Sequence, residues 1–380
     1  MVDATFIRPD EASAPLREAW AALAVAGAEA CAEVNVFAHP DMLLPAMAAL
    51  DGDGSARLAI VNDDGGSLIG VMPVTVAAKL GRFPLRTIAN WTHANSFLSP
   101  ICVAAGQEAA FWSALIPALA NFAPNARTLM IDALPEGGPI HAGLLAAARA
   151  LGLPGAVEQQ VVRAMLAPDT ARERGWAEAY WDAGVRPKKR KELRRQWNRL
   201  NDEGVVAMGE LGADEDVAPW INEFLSLEAS GWKGANGSAI ASQAGTEAFF
   251  RAAILAAHAR GGLCFTALRL DGRAIAMLLT LINGSAGFSF KTAFDEVYAR
   301  YSPGVLLQRE SLNILGARRL EWIDSCAAQD HPMIDSLWHE RRSIVGVSCA
   351  LPGTANRIAY GTAQAAMRIW HAIKPRKPSV

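Results

Sequence analysis

The residues best suited to chemistry cluster in one stretch, Lys291-Thr-Ala-Phe-Asp-Glu-Val-Tyr-Ala-Arg-Tyr-Ser-Pro-Gly304. An apolar strand pattern ends at its start and a helix pattern begins at its end, so the polar residues between them must cross the end of a sheet. Ser302 is of the type that caps a helix N-terminus, and Pro303 suits the first helical position, where a missing N–H costs nothing. Gly304 admits close approach to the backbone. With Val305 and Leu306 these residues offer amides at the positive end of a helix dipole, which favours an anion such as a pyrophosphate. Tyr298 and Tyr301, two of the four tyrosines in the chain, lie in the same loop. An ordinary capped helix with tyrosines at its rim would have the same sequence.

A second concentration of charge lies upstream. Of the 14 residues over 186–199, 8 are Lys or Arg and only Glu192 is acidic, a local +7 in a chain of net −2 whose remainder is therefore −9. On a helix opened by Pro187, Lys188, Lys191, Arg195 and Arg199 share one face and Arg190 and Arg194 the next, while Leu193, Trp197 and Leu200 supply an apolar stripe. Arg190, Arg194 and Arg195 could hold compact phosphates or RNA; a solvated amphipathic face is the plain alternative. Lys291, Asp295 and Asp324 sit near expected strand ends, where burial can shift a pKa into acid–base range. Their structural alternatives are a loop ion pair for Lys291 and Asp295 and a turn cap for Asp324. Trp220, Trp232 and Trp322 read as core, and Ser325-Cys326 with His331 lacks the elbow motif of a nucleophile.

The elements that must position these groups alternate along the chain. In the first half the pattern gives helices over 13–32, 41–50, 107–121 and 140–151 and strands over 57–61, 67–76, 127–133 and 156–165. A connector follows near 166–174. Beyond it come helices over 171–183, 187–200, 215–232, 242–260 and 303–316, a terminal helix over 354–373, and strands over 204–211, 263–270, 273–282, 285–292, 320–325 and 343–350. Asp271-Gly272 and Asn283-Gly284 join three of these strands into an antiparallel meander. The halves share a strand, an Asp-Gly turn and a strand, then an Ala-Arg to Ile-Asp element, at 126–132 and 317–324. Their common order points to duplication of one α+β unit, with boundaries at 1–168 and 169–380.

Composition narrows the class. The chain has 380 residues, 51% hydrophobic and 19% charged, which excludes a disordered protein and suffices for two lobes. The uncharged run over 274–290 is too short and too broken by Asn283-Gly284 for a membrane span. The acidic N-terminus lacks a signal-peptide pattern, and five scattered cysteines without CxxC spacing read as buried thiols of a reducing cytoplasm. No two of the seven histidines stand four apart, so no zinc site is expected.

The meander running into a loop and a Gly-bearing helix start resembles the acyl-CoA-binding core of the GNAT N-acyltransferases. The basic helix Lys188-Lys-Arg-Lys-Glu-Leu-Arg-Arg195, the hairpin over 263–282, Tyr298 to Gly304 and Ile323-Asp324 resemble more closely the branch associated with cellulose and exopolysaccharide biosynthesis, the CelD type or BioF2-like acetyltransferase domain. Asn35-Val-Phe37 with His39-Pro40 and the first hairpin resemble its other lobe. The resemblance implies a mixed α/β fold of largely antiparallel sheets in two tandem GNAT-like lobes. It also implies a bacterial cytoplasmic enzyme moving an acyl group, acetyl in particular, from acyl-CoA to a nucleophile on a small molecule or glycan precursor, without metal or DNA. Amides of Ser302, Gly304, Val305 and Leu306, with Pro303 and Tyr301 beside them, would bind the pyrophosphate. Tyr298 or Tyr301 would protonate the thiolate, and Asp324 or Asp295 would take the amine proton. Related FemAB-like proteins use aminoacyl-tRNA, which leaves RNA as the alternative partner, and a third possibility is a non-catalytic nucleotide- or polymer-binding protein.

Overall fold

A chain in which short apolar strands alternate with amphipathic helices buries both by stacking helices on the faces of a sheet. The computed structural model describes residues 2–25, 31–169 and 173–373, which build one 13-stranded mixed sheet. The first half runs β1 (Asp3–Ile7), α1 (Ala14–Val25), α2 (Pro40–Leu50), β2 (Arg57–Asn62), β3 (Leu68–Ala77), β4 (Thr87–Asn90), β5 (Cys102–Val103), α3 (Glu108–Phe122), β6 (Thr128–Pro135), α4 (Pro139–Ala150) and β7 (Gly155–Leu166). The second runs α5 (Trp176–Gly184), α6 (Pro187–Asn201), β8 (Val206–Glu210), α7 (Ala218–Ser230), α8 (Trp232–Ala235), α9 (Ala244–Ala259), β9 (Leu263–Leu270), β10 (Arg273–Asn283), β11 (Ala286–Phe294), α10 (Pro303–Gln308), α11 (Glu310–Ala317), β12 (Trp322–Asp324), β13 (Glu340–Ala350) and α12 (Thr354–Ile373).

Turn chemistry sets the hairpins. Asp271 and Gly272 take φ of 49° and 83°, the pair of positive values that a two-residue turn between twisted strands demands. Asp63 Oδ1 accepts from the N–H groups of Gly65 and Ser67 at 2.9 and 2.8 Å and so closes the turn from β2 to β3. The short strands β1, β4 and β5 carry too little periodicity to be expected from sequence. The expected helix over 303–316 breaks at Arg309 into α10 and α11, and the one over 215–232 stops at Gly231, whose backbone is extended. Parts of the expected helices over 13–32 and 171–183 fall at 26–30 and 171–172, outside the described residues.

The sheet reads alike from both edges. Strands β1-β2-β3-β4-β6 enter from one side and β8-β9-β10-β11-β12 from the other, with β4·β6 and β11·β12 parallel and the remaining pairs antiparallel. At the centre the last strands change places: β13 pairs with β6, β7 pairs with β12, and β7 and β13 pair with each other from Met165 opposite Glu340 to Gly155 opposite Cys349. The halves therefore share one strand order but not separate sheets, because each carries the other's final strand. Cores lie on both faces. One spans the halves, bringing Val36, Phe37 and Leu58 together with Phe224, Phe250 and Phe288. A second packs α3 and α4 through Phe111, Trp112, Leu115 and Leu144, and a third packs α5, α6, α10 and α11 through Trp181, Leu193, Leu307 and Leu315. All five cysteines are buried and free, and among the described residues no helix is long and apolar enough to cross a membrane.

Strand exchange has a direct consequence for the halves in isolation. Residues 1–168 and 169–380 produced separately each present an unpaired central edge, so neither should give a cooperative thermal transition alone. Co-expressed, they should associate into one species on size exclusion and recover that transition. Two independently melting fragments would refute the exchange.

Candidate active site

Parallel strands held by only three residue pairs must part where the pairing ends. β11 and β12 pair at Ala286–Trp322, Gly287–Ile323 and Phe288–Asp324, after which Ser289 to Phe294 and Ser325 to Ala328 diverge. Both line a cavity of about 470 Å³ closed by Leu227, Glu228, Trp232 and Lys233 from α7 and α8, by Gln308 of α10, by Met333 and Ile334, and by Phe97 from the first half. Beyond Phe288 the fork-side edge of β11 has no strand partner among the described residues, so its backbone groups face the cavity. β11 also bulges here: Lys291 opposes Leu279 and Ser289 opposes Thr280, leaving Phe290 as the extra residue. A bulge re-aims the side chains after it. Ser289 and Thr292 receive the Gln308 amide at 3.3 and 2.9 Å, while Phe290 and Lys291 meet on the other side.

Lys291 is the ionisable group with the clearest claim on this cavity. Its Nζ lies 5.4 and 5.5 Å from the ring centres of Phe97 and Phe290, and no carboxylate among the described residues forms an ion pair with it. Each ring face favours the cation, by about 2 kcal/mol where water is excluded. Burial works the other way, Lys233 adds repulsion, and the ammonium pKa falls from 10.5 to about 8. Glu228, nearly fully buried, is committed: one oxygen accepts from Lys233 Nζ at 2.7 Å and the other from the N–H of Ile240 at 2.8 Å. Trp232, expected in the core, is 56% exposed at the rim, its backbone N–H given to Glu296 at 2.7 Å. His331 also lines the cavity, with Nδ1 buried and unpaired. Beside it Cys326 is buried, and burial reinforced by Asp324 pushes its thiol well up, so no thiolate nucleophile forms there.

Asp324 lies behind the fork and is saturated. Arg163 of β7 donates Nε and Nη2 at 2.7 and 2.8 Å, Arg342 of β13 donates Nη1 at 3.1 Å, and the N–H of Cys326 adds a bond at 2.9 Å. Burial alone would raise the Asp324 pKa, but these donors outweigh it and the net shift is down. A carboxylate so held has no lone pair free for a substrate proton, which corrects the base role considered for it. Asp295 is likewise committed, capping Val297 at 3.0 Å and pairing with Arg273 rather than Lys291 at 2.7 Å. Tyr298 packs against the third core, and Tyr301 gives its hydroxyl to Glu203. Neither tyrosine reaches the cavity.

The start of α10 also differs from expectation. Ser302 takes a left-handed φ of 51°, and its side chain makes no cap, because capping needs extended backbone at that position. Its N–H goes to Ala299, and Val305 and Leu306 donate back to the Ser302 carbonyl at 2.9 and 3.0 Å. Pro303 has no N–H, so only Gly304 keeps an amide without a backbone acceptor. A Cβ at Gly304 would meet Phe294 at 3.4 Å, so the position faces the cavity wall. On the other side of α10, Val305 and Leu306 form one wall of a groove of about 920 Å³ whose opposite wall is α6. Arg190, Lys191 and Arg194 line it with Arg309, which stacks on Trp181 at 5.0 Å. Thus two separate sequence features, the helix start and the basic helix, face each other. Arg190 is paired with Asp182, whereas Arg195 points away and pairs with Glu192.

The matching fork of the first half is shut. β4 and β6 part after Ala89 and Met130, and the buried Asn90 laces the gap. Its Nδ2 donates to Ser99 Oγ at 2.9 Å and to the Asp132 carbonyl at 3.2 Å, and its Oδ1 accepts from the Asp132 N–H at 2.8 Å. Sequence reasoning missed Phe97, Glu228, Lys233, Arg163 and Arg342. Only Arg163 carried a signal: a charge inside the otherwise apolar run Val161-Val-Arg-Ala-Met-Leu166 implies a buried partner.

Residues 187–331 match the family described as acetyltransferase (GNAT) domain. No curated protein matches the chain in sequence. Among solved structures it is similar to a conserved protein of unknown function from Bacteroides thetaiotaomicron VPI-5482, with 13% identity, 93% of this chain and 100% of that one covered, and a TM-score of 0.54. It is similar also to FemX, with 12% identity, 81% and 90% covered and a TM-score of 0.51. A tandem GNAT protein from the clavulanic acid biosynthesis pathway matches at 15% identity over 93% and 100% of the two chains, with a TM-score of 0.45. The fold is mixed α/β with a largely antiparallel sheet whose strand order repeats between the halves, and the GNAT domain match falls in the second half.

The held carboxylate at the fork predicts an acid limb in stability. Asp324→Asn leaves two guanidinium groups against a neutral amide and should cost about 3–5 kcal/mol, read as a lower urea midpoint at unchanged slope. Because the folded pKa is depressed, this contribution is complete above the ordinary aspartate range and is lost as pH falls through the folded value. The Asn variant should lose that part of the acid dependence. An unchanged urea midpoint near neutral pH would contradict the assignment.

Proposed function

We propose that this tandem GNAT-like fold is an acyltransferase whose working site is the fork between β11 and β12. It moves an acyl group, acetyl in the simplest case, from acyl-CoA to an amine on a small molecule or polysaccharide precursor. The observation that carries the reading is the open edge of β11 inside an apolar-walled cavity that also holds Lys291. Peptide-like amides of a pantetheine chain match such an edge, because each unpaired strand group offers a hydrogen bond. With the loop amides at Ser302, Val305 and Leu306 spent, side chains are left to hold the donor's phosphates. Lys191 and Arg194, which lack ion-pair partners among the described residues, and Arg309 are suited to it.

The chemistry then rests on Lys291. An acceptor amine entering past Trp232 must be neutral to attack the thioester carbonyl, and the uncharged Lys291 takes the proton it sheds as the C–N bond forms. As the C–S bond breaks, the proton passes from Lys291 to the departing thiolate, so the products are an amide and a thiol with no net proton change. A base with a pKa near 8 is neutral often enough near physiological pH and strong enough to accept.

The pH dependence has a definite sign. Lys291 acts deprotonated, so kcat should rise with pH and level off above about 8. Lys291→Met should lower kcat by about 10²–10⁴ and flatten this limb, and Lys291→Arg should not restore it because a guanidinium stays protonated. Thiol release from acetyl-CoA with an amine panel measures both. Undiminished release in Lys291→Met would overturn the role, and no release from the parent protein with any acyl-CoA would favour a non-catalytic binding protein.

The groove separates the donors. If it holds the phosphates of CoA, Arg194→Ala alone should weaken CoA binding about tenfold or more, while Arg195→Ala should change little. If it holds aminoacyl-tRNA, every neutralised Lys or Arg of α6 should flatten the slope of log affinity against log salt by about 0.7–0.9. Titrations of CoA and of tRNA at several salt concentrations distinguish these outcomes.

A further inference from the structure

We propose that the first half serves the second as a wall of its site: Phe97 is the positioning residue that shields Lys291 from water, and Arg163 acts through Phe97 by holding its backbone. This rests on the role given to Lys291 above. Phe97 lies in the segment between β4 and β5, past the laced first fork, and lines the cavity of the other half with its ring 5.4 Å from Lys291 Nζ. Its carbonyl accepts Arg163 Nη1 at 3.0 Å. The same guanidinium gives its other two nitrogens to Asp324, whose Oδ1 also receives the N–H of Cys326 at 2.9 Å. One buried arginine thus fixes two facing walls of the cavity, Phe97 on one side and the turn at Cys326 on the other.

Burial, more than charge, is what the first half adds. The charged and titratable groups facing Lys291 are Lys233 and Glu228 from α7 and α8, Cys326 after β12, His93 after β4, and His331 and Glu296 at the cavity lining. Lys233 and Glu228 pair at 2.7 Å and largely offset each other. Cys326 is a protonated thiol, and His93 is neutral, its pKa drawn down to about 4 by burial and by Lys291 itself. Glu296 is at the exposed rim and tied to Trp232. What remains is the apolar cover of Phe97 and Phe290, in keeping with burial as the main cause of the lowered Lys291 pKa. Arg163 is not among the charges acting directly on Lys291.

Titration of Lys291 in the full chain tests this without donor or acceptor, by following reductive methylation of that residue against pH with mass-spectrometric site readout. Phe97→Ala should move the midpoint from about 8 toward the ordinary 10.5. A shift of about one pH unit already means a tenfold smaller neutral fraction at pH 7. Phe97→Leu, which keeps an apolar cover, should move it much less. Arg163→Gln should shift it in the same direction, and combined with Phe97→Ala it should add nothing more, as expected for two residues acting in series. If Arg163→Gln does not fold, the Phe97 pair decides. An unchanged midpoint in a folded Phe97→Ala protein, or fully additive shifts in the double variant, would overturn the proposal. Its failure is distinct from that of the acyltransferase reading: the expected shift without thiol release would remove only the latter, and thiol release with an unmoved midpoint only the former.

Discussion

The buried carboxylate of Asp324, shared between Arg163 and Arg342, is the interaction on which the rest of the molecule depends. It sits where β7, β12 and β13 meet, one strand of the first half between two of the second. Stripping three ions of water is expensive, and apolar side chains of equal volume would hold three strands together at least as well. What apolar side chains lack is direction. The guanidinium fork meets the carboxylate through two parallel bonds, 2.7 and 2.8 Å, and so fixes β7 against β12 with Asp324 opposite Met165. A slip of one residue would turn Asp324 to the opposite face and leave it without either partner.

The exchange of final strands makes this fixation matter at a distance. β12 has only three residues, too few to set its own register against two neighbours, yet the fork begins at its end. The long pairing of β7 with β13 supplies the rigidity that β12 lacks, and the Arg163 and Arg342 side chains carry it across. The core that spans both halves closes the other side of the arrangement, with Phe37 of the first half in edge contact with Phe288 of the second at 5.6 Å. Such aromatic pairs add about 0.5–1.5 kcal/mol beyond the area they bury. A cavity bounded by residues of both halves therefore needs no hinge between them.

Much of the fold is legible in the sequence because it is written locally. Asp271-Gly272 announces its hairpin by turn chemistry, Pro303 its helix start, and the terminal helix its full length by amphipathic period. The order of elements in the two halves is equally readable, since Asp64-Gly65 and Asp271-Gly272 recur in step. Strand exchange is not, because nothing local distinguishes a strand that pairs within its own half from one that crosses. The site is legible in part for the same reason. Lys291 stands out as a charge at the end of an apolar strand, and the basic helix by its density of charge. Phe97, Glu228 and Arg163 are distant in sequence, and only the pairing of β7 with β12 brings Arg163 to Asp324. Asp324 itself is easily misread: a carboxylate at a strand end looks the same in sequence whether it serves a substrate or two buried arginines.

The asymmetry between the two forks shows how little separates an open cavity from a sealed scaffold. Both forks open where a parallel pair ends, after Ala89 in one half and Phe288 in the other. The next residue decides whether the gap closes. Asn90 carries an amide that mimics a peptide unit, so from the end of β4 it exchanges both a donor and an acceptor bond with the backbone of Asp132 on β6 and seals the gap. Ser289 has one short hydroxyl, which is turned instead to Gln308 at 3.3 Å, and the gap stays open. The bulge at Phe290 then places Lys291 on the cavity side, an orientation that strict alternation would have denied it. With one fork sealed, the segment after β4 stays anchored to its own half through Ser99, and Phe97 on that segment completes the cavity of the other.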